Sequence, residues 1–120
     1  MTGIIIHTQH VAPSANACYA NQNVTGKRGR RRTVRYNQWA AAAGWDFNGK
    51  GQIPGPFTVV ITVDRSRRHP LSDCDNFIKP TLDLLQTHKI IENDRLCESV
   101  TCRWGDADGG MTVHIQPYGR

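Results

Sequence analysis

The first 45 residues of this 120-residue chain contain neither Asp nor Glu. No acid is at hand there to neutralise Lys27, Arg28, Arg30, Arg31, Arg32 and Arg35. The chain has 15 Lys and Arg and 10 acids, so the remaining residues hold nine bases against ten acids and are nearly neutral. The net charge of +5 therefore sits in one segment. Such a block repels itself unless it is solvated or meets a polyanion, most commonly a nucleic acid.

Long apolar runs are also missing. Nothing approaches the roughly 18 residues of a membrane span. Residues 1–6 are apolar but too short for a signal h-region, and no basic stretch precedes them, so a cytoplasmic protein is expected. Cysteine is sparse. Cys18, Cys74, Cys97 and Cys102 form no CxxC pair, and no Cys/His group has zinc-finger spacing. Reduced packing thiols are the preferred reading, and a zinc site assembled across the fold is the alternative. There is no internal repeat. One domain with its own core is expected at this length.

What is present reads in the order β-α-β-α-β-β. Residues 3–8 are a β-branched run and predict a first strand. Residues 10–16 contain Pro13-Ser14 and read as a turn. Residues 21–32, with Gly26, Gly29 and dense charge, read as a basic loop, mobile without its ligand. Residues 33–43 read as a helix with Val34 and Trp39 inward and Gly44 just past its end. Residues 48–56 are a connection rich in Gly and Pro.

Residues 57–64 are the clearest strand, with Phe57, Val59, Ile61 and Val63 on one apolar face. A polar, basic loop containing Arg65, Arg67 and Arg68 follows. A helix is expected from about 76 to 88, since Ile78, Leu82 and Leu85 recur at helical spacing and Pro80 falls within its first turn. Residues 92–94 form a polar corner. Residues 96–104 and 111–115 read as two strands joined through a turn at 106–110, which suggests a C-terminal hairpin. The expected class is α+β, with helices packed on one mixed sheet.

The chemistry concentrates at Asp73-Cys74-Asp75-Asn76-Phe77-Ile78-Lys79. In extended chain, Asp73 and Asp75 project to the same side. Converging carboxylates repel unless protonated or bridged by a cation, and hard divalent ions suit that oxygen environment. Lys79 lies one turn into the expected helix, where it could face a phosphate as a point charge. The competing explanation is ordinary capping, because Asp and Asn before a helix stabilise its N-terminus. The neighbouring arginines favour a phosphodiester site, with cations for the backbone and carboxylates for a metal.

The stretch DCDNFIKPTLDLL followed by END resembles the RusA family of Holliday junction resolvases. Its signature is Asp-x-Asp-Asn-x-x-Lys opening a helix, with an Asp shortly after that helix. Pro13-Ser14-Ala15-Asn16 is similar to the family's Pro-Ser-x-Asn turn, and the resemblance runs along most of the chain. It implies that Asp73, Asp75 and Asp94 hold Mg²⁺ or Mn²⁺ and that Lys79 is the essential lysine. Asn76 and Asp83 match recurring positions, read as structural or supporting. Many relatives carry a carboxylate doublet where this chain has Asn93-Asp94. Spacing favours Asp94 as third ligand, and Glu92 is the alternative.

The resemblance further implies a homodimer that resolves four-way DNA junctions by paired nicks during recombination and repair. Lys27, Arg28, Arg30, Arg31, Arg32, Arg35, Arg67 and Arg68 would hold the junction arms. Three other readings share parts of the pattern: a non-catalytic nucleic-acid-binding domain, a nuclease of other branched substrates or RNA, and a relative that binds junctions without cutting.

Overall fold

Strand β4, Phe57–Asp64, organises the fold because its long apolar run lets it be enclosed in the sheet. Phe57, Val59, Ile61 and Val63 are buried, and Thr62 on its other side is nearly so. In the computed structural model, which describes residues 3–21 and 30–119, β4 lies inside a four-stranded sheet. The other strands are β1 (Ile4–Thr8), β5 (Cys97–Gly105) and β6 (Met111–Pro117), in the order β1-β6-β4-β5. β6 pairs antiparallel with both β1 and β4, whereas β5 pairs parallel with β4. The sheet is mixed and the class is α+β, as expected.

The expected C-terminal hairpin does not form. β5 and β6 follow one another in sequence, but β4 separates them in the sheet. Burial explains the order. β5 exposes Glu98, Ser99, Thr101 and Arg103 and suits an edge, whereas β6 buries Met111, Val113 and Ile115 and belongs inside. The turn expected at 106–110 therefore crosses over the end of β4. Asp64 fastens it: its backbone N–H donates to Gly110 O at 2.8 Å, and Ala107 N–H donates to Asp64 Oδ1 at 2.9 Å. Gly110 has to be glycine, since a Cβ there would lie 2.1 Å from the Thr8 carbonyl oxygen.

The helices supply the second layer. α1 is a single turn, Ala15–Cys18. α2 spans Val34–Phe47, capped by Thr33, whose hydroxyl accepts from Tyr36 N–H at 3.3 Å. It runs past the expected end at Gly44, because Phe47 one turn later is fully buried and extends the apolar face. Gly44 is instead a packing position, where a Cβ would sit 3.2 Å from the His88 ring. Gly49, with φ +71, takes the left-handed conformation after the helix. α3 spans Ile78–Thr87, with Pro80 in its first turn where no N–H partner is needed. Its Leu82, Leu84 and Leu85 join Tyr36, Trp39 and Phe47 of α2 over β4 and β6. Burying each such side chain contributes about 1.5–3 kcal/mol. Truncating the fully buried Phe57 to alanine would cost about 3–5 kcal/mol.

The basic segment is more than a loop. β2 (Tyr19–Asn21) and β3 (Arg30–Arg32) pair antiparallel as a two-stranded ribbon that carries it. Residues 22–29, including Lys27 and Arg28, lie outside the described residues. Among the described residues no helix is long and apolar enough to cross a membrane.

Candidate active site

Asp73 closes the loop from β4 in extended conformation, and its carbonyl accepts from Asn76 N–H at 3.1 Å as a 3-10 turn, Cys74–Phe77, begins. Asp73 thus occupies the cap position, but its side chain makes no capping hydrogen bond. Asp75 lies in the first turn. Both residues are exposed. Simple capping would have tied the Asp73 carboxylate to a backbone N–H of that turn. It is left available instead.

Asp73 also lines a cleft of about 350 Å³ with Ser14, Asn16, Arg35, His69 and Asn76. The Ser14–Asn16 turn and the acidic motif are more than 55 residues apart in sequence. The fold brings them to one opening, with Arg35 among its lining residues. His69 turns back on its own loop, its Nδ1 accepting from Leu71 N–H at 3.1 Å.

Lys79 meets Asp94 next to this cleft's motif. Its Nζ donates to Asp94 Oδ2 at 3.3 Å and to Asp83 Oδ1, one helical turn on, at 3.0 Å. Partial burial alone would lower the ammonium's pKa, but the two carboxylates outweigh it and hold it above its ordinary value. Asp83 is buried, and Tyr19 Oη donates to its other oxygen. Arg32 approaches that same oxygen at 3.9 Å while its guanidinium lies over the Tyr36 ring. Burial, then the bond to Asp83, pushes the Tyr19 hydroxyl far above its usual pKa. Tyr19, Asp83, Lys79 and Asp94 therefore form one hydrogen-bonded chain from the ribbon to the corner after α3. Sequence reasoning left Tyr19 unassigned, since nothing local ties it to a residue 64 positions away. The four-residue spacing of Lys79 and Asp83 was a usable signal for the second link.

The corner after α3 separates the two candidates for the third carboxylate. Glu92 Oε1 accepts from Gly55 N–H at 2.7 Å and lines a different cleft with Ile53 and Lys89. Asp94 is the one beside Lys79, its backbone N–H held by Gln86 Oε1 at 3.1 Å. Asn93 caps the short turn Asp94–Leu96 by accepting from Arg95 N–H at 3.0 Å. The asparagine in place of a carboxylate therefore has a structural task of its own.

The donor chemistry suits a hard divalent cation, with two available carboxylates on one short segment and a third carboxylate already matched to a cationic group. The three do not close on one point as they stand. Among the described residues, no group of three or more His, Cys, Asp or Glu side chains converges tightly enough to enclose a metal ion.

The expected DNA-contacting arginines divide into two kinds. Arg67 is engaged within the fold, its Nε donating to Gly109 O at 2.8 Å and a terminal nitrogen to Gln9 O at 3.1 Å. Arg68 lies over the Trp104 ring at 5.7 Å, leaving its charge at the surface. Arg31, Arg32 and Arg35 are exposed. The backbone of Arg30 belongs to the ribbon.

The four thiols are free. Cys74, between the two aspartates, packs against Cys102 of β5 with 2.9 Å between the sulfurs. The Cys102 thiol also lies 2.8 Å from the Cys74 carbonyl oxygen, and burial raises its pKa. Phe77 meets the Trp104 ring edge-on at 5.7 Å, fixing the start of α3 against the same strand. Compared with models of protein families and with curated proteins, the sequence matches none.

Proposed function

We propose that this chain is a metal-dependent endodeoxyribonuclease that resolves four-way DNA junctions by paired nicks. The observation that carries the reading is the meeting of separated motif residues. Asp73 shares a cleft with Ser14, Asn16 and Arg35, and Lys79 of the same motif bonds Asp94 from beyond the helix. Acids and bases gathered at an exposed opening are what hydrolysis of a polyanionic backbone requires.

Asp73 and Asp75, joined by Asp94, would hold Mg²⁺ or Mn²⁺. When bound, that ion would supply an activated water and neutralise charge on the phosphate. The remaining work falls to this chain's own residues. Lys79, kept protonated by Asp83, would stabilise negative charge developing on phosphate oxygens. Arg35 would orient the strand entering the cleft. Arg30, Arg31, Arg32 and Arg68, with Lys27 and Arg28, would hold the junction arms by charge and shape, with affinity falling steeply as salt rises. Arg67 is the weakest of the expected contacts, since its Nε and one terminal nitrogen are already bonded within the fold. A homodimer would match the near two-fold symmetry of a four-way junction. Four free thiols suit a reducing cytoplasm.

The deciding experiment incubates the protein with a labelled four-way junction and a matched linear duplex, in Mg²⁺, Mn²⁺ or EDTA. Paired, symmetric nicks on the junction alone, requiring metal, are expected. Equal cutting of the duplex would remove junction specificity. Tight binding without cutting in any metal would leave a junction-binding protein instead of an enzyme.

A further inference from the structure

We propose that Cys74 and Cys102 form a reversible oxidation site, whose disulfide ties the acidic segment to strand β5. The two residues are 28 apart in sequence, with their sulfurs 2.9 Å apart. That is closer than ordinary van der Waals contact between non-bonded sulfurs. A disulfide of about 2.05 Å then requires the pair to close by less than about 1 Å. Cys18 and Cys97 lack such an arrangement: Cys18 contacts the Pro13 carbonyl, and Cys97 the Ser99 carbonyl. Cys102 is held in a paired strand opposite Ile61, whereas Cys74 sits at the start of a short turn, half-buried. One partner is thus fixed and the other reachable.

The chemistry balances with a peroxide as oxidant. The Cys74 sulfur takes one peroxide oxygen, the O–O bond breaks, and a sulfenic acid and one water result. The Cys102 thiol then attacks that sulfur, the S–S bond forms, the S–O bond breaks and a second water leaves. The two sulfurs together give up two electrons and two protons to hydrogen peroxide. A dithiol reverses the reaction by exchange.

The site has a direct consequence for the acidic segment. Asp73 and Asp75 flank Cys74, and the three candidate carboxylates do not converge in the arrangement in which the thiols touch. Gathering them on one ion requires residues 73–75 to shift relative to β5, which a covalent tie opposes. Oxidation should therefore switch metal-dependent cleavage off. This last step rests on the nuclease reading, but the disulfide itself does not.

The test treats the full chain with hydrogen peroxide and, separately, with oxidised glutathione. Thiols are then counted under denaturing conditions, and tryptic peptides are mapped by mass spectrometry with and without dithiothreitol. Loss of two thiols is expected, with a Cys74–Cys102 linked peptide that dithiothreitol releases. Cys97→Ser should leave the link intact. In Cys102→Ser, Cys74 should instead accumulate as a mixed disulfide with glutathione. Four titratable thiols after treatment, or Cys74 carried on to sulfinic acid while Cys102 stays reduced, would overturn the site. Junction cleavage by the oxidised protein should fall by roughly 100-fold, the scale of loss from an ångström of misplacement, and recover with dithiothreitol. Unchanged cleavage by the linked protein would overturn the switch. Absence of cleavage by the reduced protein would count against the nuclease reading alone, since the linked peptide is read without it.

Discussion

Replacing Tyr19 with phenylalanine removes one hydroxyl from a buried carboxylate, and the structure sets what that should cost. Tyr19 is 8% exposed and Asp83 8% exposed, so solvent cannot replace the lost bond easily. A hydrogen bond to a charged group contributes about 1.5–3 kcal/mol. Lys79, the other donor to Asp83, has a side chain 55% exposed, so its pair with Asp83 contributes only about 0.5 kcal/mol. Arg32, at 3.9 Å and 46% exposed, adds less. Tyr19→Phe should therefore destabilise by about 2 kcal/mol and Asp83→Ala by about 3 kcal/mol. Both remove the same bond, so the double variant should cost about 2 kcal/mol less than the sum of the singles. Urea unfolding followed by tryptophan fluorescence, with slopes compared to confirm two-state behaviour, measures all four corners of the cycle. Additive losses, or a Tyr19→Phe protein within about 0.5 kcal/mol of wild type, would refute the buried pair as an anchor of the ribbon.

Asp75→Asn should abolish metal-dependent nicking while keeping or tightening junction binding, because a carboxylate near phosphate is removed; gel-shift titration and cleavage of one labelled junction separate the two effects. Arg67→Ala should cost about 1 kcal/mol in unfolding and leave the salt dependence of binding unchanged, since its two bonds go to backbone carbonyls. Arg31→Gln should do the reverse, lowering the slope of log affinity against log salt by about 0.9. The Asp64 carboxyl is held well below its ordinary pKa, first by the Ser66 hydroxyl and then by the Ala107, Gly109 and Ser66 backbone N–H groups. A depressed folded pKa stabilises the protein above the unfolded value and loses that contribution as pH falls. Thermal unfolding should thus show an acid limb below about pH 4 that Asp64→Asn flattens.

The parts of the fold visible in the sequence are those fixed by local periodicity. Alternation from Phe57 to Val63 marks β4, and Ile78, Leu82 and Leu85 mark α3 within two residues of its ends. Pairing is another matter. The turn at 106–110 announces that the chain reverses, but not whether its two strands become neighbours. β4 separates them because its two-sided burial outcompetes a direct β5–β6 pairing, a tertiary preference that no turn residue encodes. Gly44 misleads for a related reason. Glycine ends helices when nothing buried follows, and here Phe47 follows. The ribbon under the basic segment was obscured because its three-residue strands are too short for alternation to register.

The same division runs through the site. Asp73 and Asp75 stand out in the sequence because carboxylates two apart share a side of an extended chain. Asp75, however, lies in the first turn of the 3-10 helix and, of the two, Asp73 lines the cleft, its carboxylate unused as a cap. Asp94 and Glu92 could be ranked from sequence only by distance along the chain. The Gly55 N–H bound to Glu92 and the Lys79 ammonium beside Asp94 rank them by contact. Lys79 shows in the sequence only through its four-residue spacing from Asp83 and its place in the motif, neither of which reveals Asp94 as a partner. Its partners come from the ribbon, the helix and the corner beyond it, so its role depends on the whole fold. On the proposed reading, a metal at Asp94 would compete with Lys79 for that carboxylate, and Asp83 is the partner left to hold the ammonium. A lysine with a single exposed carboxylate partner would lose its anchor at the moment it was needed. The buried, tyrosine-bound Asp83 gives it a second partner outside the three carboxylates proposed to hold a metal.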